Sequence, residues 1–243
     1  MTQRTAVVTG ASRGIGAQIS TRLAAEGWDL IVTARNQAGI EEFAAALAAD
    51  SGRHVRPIAA DMADPLAPQI IADAIADLES LDALILNAAM GTIGRLDSFP
   101  LRRLDKLLAI NLRAPYALIQ NLLPALRLAG EHSPWGSRVI AMASMTGLAG
   151  EPLNSAYGAT KAALISLCET LSVEEYSHGV NASAVCPGYV ATDMTADLPG
   201  VDPAAMITAA DVAEITVCLT RLSKQVTVPF LPLTRPGPGL WRA

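Results

Sequence analysis

The sequence predicts an α/β protein: one doubly wound domain over residues 1–243, with a parallel seven-stranded sheet and helices on both faces. Three observations lead there. Short apolar runs alternate with amphipathic stretches along the chain, with no linker-like segment and no internal repeat. The composition is 51% hydrophobic but only 4% aromatic, so the core is one of Ala, Val, Leu and Ile, which suits helices layered on a buried parallel sheet. Gly10, Arg35, Asp61, Asn87, Ser144 and Pro187 all fall at the C-terminal ends of expected strands, the edge at which open α/β sheets bind ligands.

Taken in order, Thr5 to Thr9 reads as a short buried strand. Gly10-Ala-Ser12-Arg13-Gly14-Ile15-Gly16 follows, then a helical pattern through Ile19, Leu23 and Ala24 that ends near Gly27. Strand, glycine-rich turn and helix open a Rossmann-type βαβ unit. The glycines let the backbone approach a pyrophosphate, which then sits at the helix N-terminus. Trp28 to Thr33 is the second strand. An acid at its end would bond an adenosine ribose, but the chain reads Thr33-Ala34-Arg35-Asn36. Arg35, with Arg13 from the glycine turn, suits a 2′-phosphate instead and so favours NADP(H) over NAD. Each arginine reads equally well as a solvated surface charge.

Residues 37–50 form an Ala-rich helix, and Val55 to Ala60 a third strand ending at Asp61, an adenine-facing acid or a local cap. Pro65 to Glu79 is expected to be helical. Leu81 to Leu86 runs into Asn87-Ala88-Ala89-Met90, small residues that allow close approach to a cofactor. A long helical region from Leu101 to Ala129 is expected to break near Pro115 and Pro124. It carries Asn111 in an apolar setting, where a buried amide must find partners, a helix–helix bond among them. Arg138 to Ala143 is a strand ending at Ser144, and Asn181 to Cys186 another ending at Pro187-Gly188. Asp211-Val-Ala-Glu214 reads as a capping box opening a helix to about Leu222. Val226 to Leu233 is a last strand, before an irregular tail rich in Pro and Gly.

The helix at residues 155–177 carries Tyr157 and Lys161, four residues apart and so on one face. A phenol beside a fixed cation loses its proton more readily than usual and can trade it with a substrate oxygen. Other classes are disfavoured. A net charge of -5 argues against phosphate-backbone binding to nucleic acid. Cys168, Cys186 and Cys218 are widely spaced and form no metal grouping with His54, His132 or His178. They read as buried thiols in a reducing compartment. Neither a leader pattern nor an uncharged apolar span of about 20 residues is seen, so a cytoplasmic protein with no membrane partner is expected.

These stretches, with Pro187-Gly188-x-x-x-Thr192, together resemble the classical short-chain dehydrogenase/reductase family from Thr9 to about Leu222. Within it the chain is most similar to NADPH-linked 3-oxoacyl-(acyl-carrier-protein) reductase-like members. The resemblance implies that Tyr157 protonates the substrate oxygen, Ser144 holds that oxygen, and Lys161 lowers the tyrosine pKa and binds the nicotinamide ribose. Asn111 would hold a water linking Lys161 to solvent. Gly10, Ser12, Arg13, Gly14, Ile15 and Gly16 would line the phosphates. Asp61 and Met62 would face the adenine, with Asn87, Ala88 and Ala89 on its ribose side. Pro187, Gly188, Val190 and Thr192 would close over the nicotinamide. The implied partners are a small carbonyl or alcohol substrate and a second copy or copies of the chain, as homodimer or homotetramer. A non-catalytic NADP-binding redox sensor or interaction protein is the alternative. An epimerase or dehydratase on the same scaffold would need extra substrate-binding sequence that is not present. Three departures stand out: Met90 replaces the family's usual glycine and is expected to narrow the substrate side, the run from Thr192 to Asp211 is a short lid, and the C-terminal ending is atypical.

Overall fold

The computed structural model describes residues 3–196 and 202–236. One sheet of seven parallel strands lies at its centre, in the order β3-β2-β1-β4-β5-β6-β7. The strands are β1 (Thr5–Thr9), β2 (Asp29–Ala34), β3 (Val55–Ala59), β4 (Ala83–Leu86), β5 (Ser137–Met142), β6 (Val180–Pro187) and β7 (Phe230–Leu233). The helices are α1 (Gly14–Ala25), α2 (Gln37–Ser51), α3 (Ala67–Ala74), α4 (Leu101–Leu108), α5 (Ala114–His132), α6 (Ser155–Glu175) and α7 (Ala209–Leu219).

Successive strand residues point to opposite faces, and both faces are covered. Val7, Leu84, Val139 and Ala141 pack with Ile71, Leu118, Leu122 and Leu164 on one side. Ala6, Val8, Ile85 and Ile140 pack with Ile19, Leu23, Ile40 and Val212 on the other. The chain steps outward from β1 to β3, then returns to lay β4 against the free side of β1. That reversal opens a crevice beyond the C-terminal ends of β1 and β4, where Gly10 and Asn87 stand.

Four local expectations are corrected. The long helix breaks at neither proline: Pro115 sits in the first turn of α5 and Pro124 inside it. The break is a wide π turn at Ala109–Arg113, centred on the buried Asn111. The capping box of α7 lies one turn earlier than expected. Thr208 Oγ1 accepts from Asp211 N at 3.1 Å, and Asp211 answers at the Thr208 backbone. Glu214 is thereby freed to pair with Arg22 of α1 at 2.7 Å. The third helix shrinks to Ala67–Ala74, and the last strand to Phe230–Leu233. Residues 197–201 of the short lid, and the tail beyond 236, lie outside the described residues.

Candidate active site

The first wall of the crevice is made of backbone. Gly10 and Gly14 hold φ of 64° and 56°, left-handed values that a side chain would strain. A Cβ on Gly16 would lie 2.3 Å from Gly10 O, and one on Gly10 would lie 2.9 Å from Ala88 Cα. The turn is pinned across the β1–β4 gap. Asn87 Nδ2 donates to Thr9 O at 2.9 Å and Gly10 O at 3.0 Å, while Thr9 Oγ1 accepts from the Asn87 and Ala88 amides at 3.0 Å each.

The N-terminus of α1 follows directly on this glycine turn and has no side-chain cap and no acid in its first turn. Exposed amides at a positive helix end, approached without Cβ atoms, fit a pyrophosphate. The residues present therefore fit the dinucleotide that the sequence predicts.

The remaining expected cofactor residues divide. Arg35 is exposed at the end of β2 and forms no ion pair among the described residues. Arg13 is exposed too, but its Nη1 pairs with Asp193 Oδ2 at 2.8 Å. Asp61 Oδ1 accepts from Ala63 N at 3.0 Å, which closes a turn rather than capping a helix, because the next helix begins only at Ala67. Met62 buries its side chain in the core, so only its main chain can face an adenine. Ser12 and Ile15 are half-buried in the turn, and Ala89 is half-buried after β4. Thr192 reaches the turn from the far side, its Cγ2 3.4 Å from where a Gly14 Cβ would stand. Gly188 N donates to Leu233 O at 2.9 Å. The Val190 carbonyl is already taken by the Thr195 hydroxyl.

The second wall carries the polar side chains. Ser144 leaves β5, and its Oγ accepts from Thr146 N at 3.2 Å and Thr146 Oγ1 at 3.0 Å. Tyr157, in the first turn of α6, stands near enough to Ser144 for that hydroxyl to pull its pKa down. Burial pushes the Tyr157 phenol up to about 12 and outweighs the opposing Ser144 pull. The expected pull from Lys161 is not seen. Its Nζ donates to Met142 O at 2.6 Å and lies over the Tyr157 ring, 5.5 Å from its centroid, rather than beside the hydroxyl. Burial also drops Lys161 to about 8.

Asn111 is 1% exposed and hydrogen-bonded at both amide atoms. Its Oδ1 accepts from Met90 N at 2.8 Å, and its Nδ2 donates to Met90 O at 3.0 Å and Thr160 Oγ1 at 3.1 Å. The side chain thus ties the β4 loop to α6 through both of its amide hydrogens, while Oδ1 keeps a second lone pair to which the expected water can donate. The amide clamp also orients Met90, whose side chain packs against the core instead of narrowing the substrate side. Thr9, Thr160 and Asp193 escaped the sequence reading. Only Thr9, which directly precedes the glycine turn, offered a signal.

The short chain dehydrogenase family model matches residues 4–200. D-beta-hydroxybutyrate dehydrogenase of Rhizobium meliloti is 30% identical over 195 residues, covering 79% of this chain and 73% of that protein. A 3-oxoacyl-(acyl-carrier-protein) reductase of Staphylococcus aureus is 33% identical over 196 residues, covering 79% and 76%. Among solved structures, a short chain dehydrogenase from Burkholderia cenocepacia in complex with NADP superposes with a TM-score of 0.84 at 32% identity, over 97% of this chain and 96% of that one. An alcohol dehydrogenase from Thermococcus sibiricus complexed with 5-hydroxy-NADP gives 0.86 at 26% identity, over 97% and 99%.

Proposed function

The chain belongs to the short-chain dehydrogenase family, and on that premise we propose that it is an NADP(H)-dependent carbonyl reductase that turns a ketone into a secondary alcohol. The observation that carries the reading is that Ser144, Tyr157 and Lys161 gather in one place: Ser144 acts on the Tyr157 phenol, and Lys161 lies over the Tyr157 ring while bonded to the Met142 carbonyl. NADP complexes among the superposed structures support the cofactor class, and Arg35 and Arg13 at the crevice rim support the 2′-phosphate form.

When bound, the nicotinamide supplies the hydride. The chain supplies the proton and the geometry. A phenol pushed up to about 12 is protonated at neutral pH, so Tyr157 rests as a donor, the form that reduction needs. Ser144 Oγ accepts from Thr146, which leaves its own hydrogen for the substrate oxygen or for Tyr157. Such a donor, fixed in advance, stabilises the charge developing on that oxygen. Lys161, buried and bonded to one carbonyl, keeps donors for a ribose. The Asn111 clamp holds α6 and the β4 loop at fixed separation.

The reading extends to the whole of residues 1–243 as one cofactor-binding and catalytic unit, acting in the cytoplasm on a small substrate. No described helix is long and apolar enough to cross a membrane. A groove of about 780 Å³ on the α4–α6 face is lined by Leu108, Leu112, Tyr116 and Leu167. It suits pairing with a second copy, which sedimentation would show as a dimer or tetramer. The test of function is loss of NADPH absorbance with a panel of ketones and 3-oxoacyl thioesters, run beside NADH. We expect turnover with NADPH. Tight NADPH binding without turnover of any carbonyl would favour the redox-sensor alternative.

A further inference from the structure

The turn between Ser144 and Tyr157 is tied down more heavily than its length requires. Glu151 Oε2 accepts from Asn154 Nδ2 at 2.9 Å, and the Glu151 carbonyl accepts from Asn154 N at 3.2 Å. Leu153, between them, has a φ of 67°, the left-handed region that a large side chain avoids. Such strain persists only where the surroundings enforce it. Here the Leu153 carbonyl accepts from Gly94 N at 2.8 Å, on the neighbouring loop after β4.

The second carboxylate oxygen reaches further. Glu151 Oε1 accepts from Tyr189 Oη at 2.8 Å, 38 residues along the chain. The carboxylate therefore bridges the segments that leave the C-terminal ends of β5 and β6, the edge of the sheet at which Ser144 and Tyr157 stand. Among the described residues a cation, Arg235, lies near. Arg235 Cζ stands 5.4 Å from the Tyr189 ring centroid, and Arg235 also lines a cavity of about 470 Å³ with Asp211 and Met206. At the Tyr189 hydroxyl the carboxylate outweighs it. Burial, then the bond to Glu151 and its charge, push that phenol up to about 12 against the weaker pull of Arg235.

We propose that Glu151 sets the charge of the substrate: its carboxylate, fixed between the segments that follow β5 and β6 at the ligand-binding edge, admits neutral ketones and turns away ketones that carry a free carboxylate. This rests on the carbonyl-reductase reading of the same site. A like charge at close range in a partly shielded site weakens binding about tenfold, and salt reduces the effect.

The test compares a short 3-oxo acid with its ethyl ester, in the wild-type protein and in Glu151→Gln, which keeps a carbonyl acceptor for Tyr189 but removes the charge. The readout is the acid-to-ester ratio of kcat/KM, because a merely structural disturbance moves both ketones together. Glu151→Gln should raise the ratio about tenfold, Glu151→Asp should restore the wild-type preference, and added salt should narrow the wild-type gap. Calorimetry of each ketone with the NADPH complex reads the same selection independently of turnover. If turnover is absent but the ester still binds more tightly, the reductase reading fails and the charge selection stands. Equal binding of acid and ester to the wild type, or an unchanged ratio in Glu151→Gln, overturns the assignment.

Discussion

Arg138 and Lys161 are both buried cations beside β5, 1% and 2% exposed, yet they are bonded very differently. Arg138, near the N-terminal end of the strand, donates to Val226 O at 2.9 Å, Leu222 O at 2.9 Å and Ser223 O at 2.7 Å, leaving only Nε without a partner. It ties the end of α7 and the approach to β7 onto the sheet. Lys161, at the opposite end, donates to one carbonyl, Met142 O. Burial lowers both pKa values, but the guanidinium stays charged while Lys161 falls to about 8. A nearly saturated cation is a fastener. An ammonium with spare donors, at the ligand-binding edge of the sheet, is available for chemistry.

The comparison is broken most severely by exchanging the two phenotypes. Lys161→Met and Tyr157→Phe should each lower turnover about a thousandfold, within the range for loss of a positioned proton-transfer group. NADPH affinity should persist in Tyr157→Phe, checked by steady-state kinetics beside fluorescence titration. A Tyr157→Phe protein that reduces ketones at near wild-type rate would remove the phenol from the reaction. Arg138→Met should do the reverse. It removes three charge-assisted hydrogen bonds to part-buried carbonyls, each contributing about 1 kcal/mol, so urea unfolding should show a loss of about 3 kcal/mol. Turnover per folded molecule should stay near wild type. A turnover loss with intact stability would mean that Arg138 is more than a fastener.

A subtler test uses protons. Lys161 has a native pKa of about 8 against an ordinary value of 10.5. Below pH 8 it is charged in both states, and the penalty of burying that charge is fully present. Between these values the unfolded chain binds more protons than the native one, so this group makes stability rise with pH. Cys168 and Cys186, pushed up to about 12, act in the opposite sense over an overlapping range. The effect of Cys168 cancels to first order in the difference between wild type and Lys161→Met, and Cys186, which the Lys161 charge pulls down, is removed from the comparison by making it in a Cys186→Ala background. That difference should move in favour of the wild type as pH climbs from 8 toward 10.5. A constant difference would show that Lys161 is not desolvated.

The same contrast explains what the sequence disclosed. Strand ends, the glycine turn and the Tyr157–Lys161 spacing were legible because each depends on residue type or period. The partner of Lys161 was not, because a main-chain carbonyl carries no residue identity. The π turn at Asn111 escaped because the prolines nearby were the louder signal, although both fit within α5. The capping box shifted by one turn because Thr208-x-x-Asp211 and Asp211-x-x-Glu214 both fit the pattern, and only the Arg22 pairing on α1 separates them. The Glu151–Tyr189 bond joins residues that no local pattern connects.

Arg35 and Arg13 supply the mildest contrast, between two exposed cations of which only one is paired. Arg35 has no ion-pair partner among the described residues, so its removal should leave the urea midpoint unchanged. A charge-assisted contact to a 2′-phosphate is the one interaction it is placed to gain. Arg35→Ala should therefore weaken NADPH about tenfold and leave NADH nearly untouched. Arg13 starts from its bond to Asp193, with both side chains largely in solvent. Releasing that bond costs less than about 1 kcal/mol but subtracts from whatever Arg13 gains on the phosphate. Arg13→Ala should weaken NADPH less than Arg35→Ala does, and Asp193→Asn should strengthen it slightly. Titration of each variant with both cofactors decides the matter. Equal losses for NADH and NADPH would take the arginine concerned off the 2′-phosphate, and an Arg13→Ala loss exceeding that of Arg35→Ala would reverse their order.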